Sequence, residues 1–398
     1  MPERLIRFFT SPGMTRSGCI TQKRHHQKMK ATILQIGILV LFQCAAAICQ
    51  GSRYDSMVST HIELRKDTLL LGEPTFFDYV INNNSNETIY VEEGGDYRSG
   101  RKISFKVFVI SSENDTLKMR ELWGGMGGFI RFHPISPGGS RKFKLFLPMW
   151  ADIEKPGTYR LAVSKRFRIA PENPFLKEDY STIQVVPKAS DTTFTVVEDA
   201  EKLGKFIADL VTDIKEETQG RTVESGAFRT SRNTYISISE KLSDYMRFIE
   251  EIKDERLIPF LVESFREKKY IAREKSNYLL ANFSKNDTAF ETLVYAAQTE
   301  ENTPCFVSDD SIGITWSTSY IRQNALQGIM RSDNDRAVHF LLSKKDDDYP
   351  CERYMIVIRA KYIMSESNAG KVYAAFLSDS NKAVRRKAQA ELDKLKKE

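Results

Sequence analysis

Beyond residue 49 this chain of 398 residues has only two cysteines, Cys305 and Cys351, and three histidines, His61, His133 and His339. That scarcity excludes several chemistries. No histidine or cysteine has a second one at metal-ligand spacing, so no zinc centre is expected. A histidine-based triad would have to draw on three isolated residues, and no Gly-x-Ser-x-Gly elbow accompanies them. His133, in "RFHPISPGG", is expected in a surface turn, and His339 on the packed side of an amphipathic helix. A charge excess is lacking as well. Seven of the 59 Lys and Arg and one of the 53 acids precede residue 50, which leaves 52 of each in the remainder. A balanced chain offers polyphosphate no broad footprint, so nucleic acid is not an expected partner.

The early positive charge belongs to a targeting segment. Met29-Lys30 leads into Ala31–Cys49, a run with two Gln and no charge that ends in Ala45-Ala46-Ala47 and then Ile48-Cys49. A basic start, an apolar middle and a small-residue end predict a cleaved secretory signal over 1–49 and an exported chain, whether periplasmic, cell-surface or secreted. The rival is an uncleaved anchor, because 19 residues just suffice to span a bilayer; membrane contact is expected only through this segment. A lipoprotein is excluded, since Gln43 and Ile48 stand before Cys44 and Cys49 where a small residue is needed. An oxidising compartment would permit a Cys305–Cys351 bridge; the alternative is two free thiols.

From about residue 57 to 197 apolar residues recur mostly on alternate positions, as in Phe76, Tyr79 and Ile81 or Phe105, Val107 and Val109. Eight strands are predicted: Val58–Leu64, Thr75–Asn82, Glu87–Glu92, Ile103–Ile110, Arg141–Leu147, Thr158–Ser164, Tyr180–Val186 and Thr192–Val197. Short strands at this density fit a β-sandwich. The segments "FFDYVINNNSNETIYV" and "KPGTYRLAV" resemble bacterial immunoglobulin-like domains, a likeness that covers about a third of the chain.

The period changes to 3.6 near Ala200, where Leu203, Phe206, Ile207, Leu210, Val211 and Ile214 form one stripe. After a polar stretch the helices recur as pairs. The last pair reads Leu377-x-Asp379, then Val384-Arg385-x-x-Ala388-x-x-x-Leu392. The pattern returns at Ile321-Arg322, Ala325 and Ile329, at Ala272-Arg273, Ser276 and Leu280, and loosely at Arg353, Ile356 and Ala360, where Glu352 replaces the apolar residue. It resembles the HEAT-repeat consensus. The resemblance implies a right-handed α-solenoid of helical hairpins over 200–398, five in all, with the repeat arginines 273, 322, 353 and 385 pairing with an Asp of a neighbouring turn: Asp379, and one of Asp346, Asp347 and Asp348. The arginine spacings of 49, 31 and 32 locate an insertion in the second hairpin at Thr299–Trp316.

Two further stretches invite chemistry and do not carry it. Gly124, Gly125, Gly127 and Gly128 lack the Lys-Ser/Thr of a phosphate loop, so a connection between strands is expected. Trp123 and Trp150 are expected in the sandwich core. The three aspartates at 346–348 lack the spaced oxygens, glycine and glutamate of a calcium loop. No catalytic residue, metal or cofactor is therefore expected. The solenoid should bind a protein or peptide through residues that follow each repeat arginine: Glu274, Lys275, Gln323, Asn324, Arg386 and Lys387. The other reading makes the sandwich the active part, a protease inhibitor or carbohydrate binder acting through loops such as 124–128.

Overall fold

The computed structural model describes residues 53–94, 104–120, 130–222, 239–299, 305–307, 312–314, 321–347 and 349–396. The glycine-rich stretch, with Trp123, lies outside these residues.

Alternation builds the first half. Strands β1 (Val58–Leu64), β3 (Phe76–Asn83) and β7 (Ser140–Phe146) form one antiparallel sheet with β3 at its centre. The second sheet has the order β2 (Thr68–Leu70), β9 (Gln184–Val197), β8 (Gly157–Ala170), β4 (Ile89–Glu93) and β6 (Arg131–Ile135), while β5 (Phe105–Ser111) pairs with the early part of β8. The inward positions meet in one core that includes Phe77, Tyr79, Phe143, Leu161, Phe167, Phe194 and Trp150. Tyr79 stacks on Phe167 at 6.1 Å and meets Phe105 edge-on at 5.8 Å, the offset geometries that aromatic quadrupoles favour.

Two differences from the sequence reading have clear causes. β9 is one strand of 14 residues rather than two, running through Pro187 and the polar residues after it. At Pro187 only β8 flanks it, since β2 pairs with β9 at 195–197 alone; a proline that cannot donate is harmless on that open edge. His133 is in strand β6 rather than a turn, with Pro134 beside it on the outermost strand of the sheet.

Ten helices follow among the described residues: α1 (Ala200–Thr218), α2 (Glu240–Glu251), α3 (Ile258–Glu267), α4 (Arg273–Leu280), α5 (Asp287–Thr299), α6 (Ile321–Ser332), α7 (Asp335–Ser343), α8 (Pro350–Ile363), α9 (Glu366–Phe376) and α10 (Lys382–Leu395). Side-chain caps start several of them. Asp199 accepts from the Lys202 amide at 3.0 Å, and Asn381 accepts from the Ala383 and Val384 amides, satisfying donors that have no partner in the first turn. The even-numbered helices α4, α6, α8 and α10 pack one on the next, and α3 with α5 and α7 with α9 contact in a second layer. Asp333 holds a left-handed turn after α6, and its carboxylate accepts from the Ser365 amide and from Asn368, tying that turn to the start of α9. Between α5 and α6 the strands β10 (Cys305–Val307) and β11 (Ile312–Ile314) pair antiparallel and lie against α8. Cys351, buried at the start of α8, is disulfide-bonded.

The small residue in α6 is Gly328. A Cβ there would stand 2.8 Å from the Ala281 Cβ and 3.0 Å from Leu293 Cδ1. Gly328→Ala should therefore force the helices apart at a cost of roughly 1–3 kcal/mol, against a gain of about 1 kcal/mol in helix propensity. The expected net loss of about 1 kcal/mol would appear as a Tm lower by roughly 2–4 °C in a thermal melt; a Tm raised by the substitution would show that α6 has room.

The two halves share a hydrophobic junction. Phe76 and Phe146, at one end of the three-stranded sheet, pack 4.6 Å apart and meet Phe248 of α2 at 5.5 and 6.0 Å. Lys144 stands 4.7 Å above Phe76 and pairs with Asp244 at 2.5 Å and Glu240 at 2.9 Å. Only Glu198 and Asp199 separate β9 from α1, so the helical region begins at this same end of the sandwich.

Candidate functional site

The outward stripe of the even helices is built from the positions that their neighbours leave uncovered. On α4 it holds Lys275 and Tyr278, on α6 Asn324, Gln327 and Arg331, on α8 Tyr354, Ile358 and Tyr362, and on α10 Arg386 and Lys387. Tyr278 is exposed between two cations: Lys275 Nζ lies 5.4 Å and the Arg331 guanidinium 5.9 Å from its ring. Tyr362 is 76% exposed. Lys387 pairs with Glu391 at 2.8 Å, which raises its pKa, and the nearby Tyr354 and Tyr362 reinforce the shift. Aromatic rings with arginine beside them are enriched at protein-binding surfaces, where large, stiff side chains bury area at little entropic cost.

Of the six expected contact positions, five reach this surface or its rim. Glu274 and Lys275 are half-buried, and Lys275 pairs with Glu250 at 2.5 Å. Asn324 and Lys387 are partly exposed, and Arg386 is exposed. Gln323 is corrected: it is only 2% exposed. Helix α6 packs against α4, α5 and α8, and the residue after its repeat arginine points into that enclosure.

The repeat arginines lie beneath the stripe. Arg353 donates to Asp379 through Nε at 2.7 Å and Nη2 at 3.1 Å, with both side chains buried. It also donates to the Asp347 carbonyl. Arg322 reaches Asp347 at 3.2 Å and forms a close ion pair with Glu352. Arg385 donates to the Asp379 and Ser380 carbonyls. Arg273 donates to the Phe265 carbonyl at 3.0 Å and stacks over that ring, a contact within its own hairpin. Burial opposes the Asp347 charge, but the Tyr349 amide, Lys344 and Arg322 outweigh it and hold the carboxyl below its ordinary range.

Glu352 is a different case. It is 1% exposed, and its carboxylate faces Arg322 without the alignment of a hydrogen bond. Burial, opposed by Arg322, pushes its pKa up to about 7. The sequence marks this position only as a glutamate where the repeat has an apolar residue.

A cavity of about 450 Å³ lies at the junction, lined by the β2–β3 connection, the segment after β7, Leu203 of α1 and the end of α2. Two of its carboxylates are engaged: Glu73 pairs with Lys66 and accepts from the Leu70 amide, and Glu251 accepts from Arg120 at 2.7 Å. Burial raises the Glu251 pKa against that arginine. No motif marks this cavity, because its walls come from four separate stretches of chain.

His133 meets Glu93 at 3.2 Å, His61 meets Glu63 at 3.2 Å, and Trp150 is buried in the core. His339 is exposed rather than packed, because Ala337, Val338, Phe340 and Leu341 fill the inner face of α7. Among the described residues no group of three His, Cys, Asp or Glu could hold a metal, and no helix is long and apolar enough to cross a membrane.

No protein-family model matches the sequence, and no curated protein is significantly similar to it. The structural neighbours of the N-terminal region are CARDB and fimbrial immunoglobulin-like β domains. A CARDB domain from Pyrococcus furiosus, determined with two metal ions, is 10% identical over 36% of this chain and 94% of its own, with a TM-score of 0.19. A fimbrial protein of enteroaggregative Escherichia coli, from work on fibronectin binding and biofilm formation, is 18% identical over 35% and 99%, with a TM-score of 0.20. The galactose-bound major subunit of the Myf fimbriae of Yersinia enterocolitica is 13% identical over 35% and 99%, with a TM-score of 0.19.

Proposed function

We propose that this is an exported, non-enzymatic binding or scaffolding protein whose helical half is a HEAT-like solenoid docking a protein or peptide on its even-helix face. The observation that carries the reading is the stripe of Tyr278, Tyr354 and Tyr362 with Lys275, Arg331 and Lys387 beside them. The succession α4, α6, α8, α10 and the arginine-to-aspartate links beneath it support the repeat assignment. Stacked hairpins present such a surface because no hairpin buries its apolar stripe alone.

The test is capture of a partner by the full chain carrying Tyr278→Ala and Tyr362→Ala. Both rings are exposed, so Tm should hold while affinity falls by 10-fold or more, about 1.4 kcal/mol or above. Undiminished capture by this variant, with loss on substitution within residues 124–128, would transfer binding to the sandwich and support the inhibitor or carbohydrate-binder reading.

A further inference from the structure

The sandwich has two unlike ends. At the junction end Leu64 pairs with Phe77 and Gly157 with Val196. At the other end the chain comes into the fold. Tyr54 is buried there, Lys188 donates to the Asp55 carbonyl at 2.6 Å and pairs with its carboxylate at 2.8 Å, and Thr60 bonds Ser190. β1 thus starts level with the middle of β9 and runs the same way. The β8–β9 connection, residues 171–183, caps this end, because Ile169 pairs with Gln184.

That connection is built, and it is apolar on the outside. Asn173 accepts from the Phe175 amide at 3.1 Å to start a single helical turn, Pro174–Lys177, and Asp179 accepts from the Ser181 amide and hydroxyl. Phe175 is seated edge-on between Phe132 at 5.6 Å and Tyr180 at 5.9 Å. Even so, Phe175 is 44%, Tyr180 53% and Leu176 81% exposed. Leucine, phenylalanine and tyrosine presented together on an ordered loop are the kind of apolar patch that marks an interaction site.

The position of the apolar segment says what the patch meets. Ala31–Cys49 ends four residues before Arg53, a reach of at most about 14 Å. From Lys188, where the chain is tied, β9 extends four residues to Gln184, about 13 Å toward the loop. A bilayer holding that segment therefore comes within reach of the loop on the same side of the molecule. We propose that Ala31–Cys49 remains as an anchor and that Phe175, Leu176 and Tyr180 rest in the headgroup boundary of that membrane, with the helical face directed away from it. Leucine and phenylalanine suit the acyl edge and tyrosine the headgroup level. The loop's charges, Glu172, Lys177, Glu178 and Asp179, give no cationic patch, so the contact is with zwitterionic lipid rather than with an anionic surface. This rests on the export reading, taken with the anchor retained, and is independent of what the helical face binds.

The experiment places a tryptophan at Leu176→Trp, and as a control at Tyr362→Trp, in the full chain reconstituted into phosphatidylcholine vesicles with brominated acyl chains. Emission is compared with that of the unsubstituted chain, which carries Trp123, Trp150 and Trp316. About half or more of the emission added by Leu176→Trp should be quenched, as for a side chain 5–10 Å into the boundary, and that of Tyr362→Trp should not. Absence of quenching at 176 in vesicles that carry the protein would overturn the membrane contact and give the loop to a protein partner. Equal quenching at 176 and 362 would overturn the orientation. Failure of the chain to enter vesicles, or loss of residues 1–49 from the native protein as shown by its mass, would overturn the anchor and leave the helical face to be tested separately.

Discussion

Asp379→Ala is expected to lower the stability of the helical half by about 3–5 kcal/mol, the cost of stranding one member of a buried ion pair. Arg353 and Asp379 are almost without solvent contact. The carboxylate receives Nε and Nη2 of Arg353 and the Asn381 amide, so its removal leaves a buried guanidinium facing a void and frees the turn that starts α10. The pair itself need not be strongly stabilising. Its desolvation cost is high, and an apolar replacement of both members can be nearly neutral. Arg353→Met with Asp379→Leu should therefore recover most of what Asp379→Ala loses. Urea titration of the three proteins decides the matter: a single variant within 1 kcal/mol of the parent, roughly the value of an exposed pair, would mean the site is open to water.

Stability between pH 5 and 8 should fall as pH rises, by roughly 3 kcal/mol attributable to Glu352. The sign follows from the direction of the shift. Burial holds the folded pKa at about 7, above the ordinary value near 4.5, so the folded state binds a proton more tightly than the unfolded chain. That contribution is fully present below about pH 4.5 and is lost as pH rises through 7. Arg322 opposes the shift and Asp347 reinforces it, and Lys344 and Tyr349 are the other titratable groups beside the carboxylate. Glu352→Gln keeps the shape and removes the proton. The gap in unfolding free energy between parent and variant, measured at several pH values, should therefore widen steadily from pH 5 to 8. A gap independent of pH would place the Glu352 titration outside this range.

These two residues show where the sequence was legible and where it was not. Asp379 stands in a turn just before a repeat motif, and its type and spacing announce a structural acid. Glu352 announces only a broken pattern. Whether an acid at an inward position snorkels, finds an arginine or keeps its proton depends on neighbours from α6 and the 344–349 turn, which lie far from it in sequence. The same contrast holds for the sandwich. Alternation located β5 because one of its faces is buried and the other is open. The three-residue strand β2 and the proline-bearing β6 exist through their partners rather than their own propensity. Gln323 and His339 exchanged expectations because periodicity fixes a stripe and not how many neighbours enclose a helix. α6 is covered on most sides and α7 is not. The cavity at the junction left no trace in the sequence, since it belongs to the meeting of two halves.

The chain enters the sandwich at one end through β1 and leaves it at the other through β9, directly into α1. Tension applied between the N-terminal segment and whatever the helices hold would run along the strands. The long β8–β9 ladder, in register from Gly157 with Val196 to Ile169 with Gln184, has its hydrogen bonds perpendicular to that pull. They would be stretched together, in shear, instead of opening one after another like a zip. A domain with this polarity would resist such a pull in shear instead of unravelling from its edge.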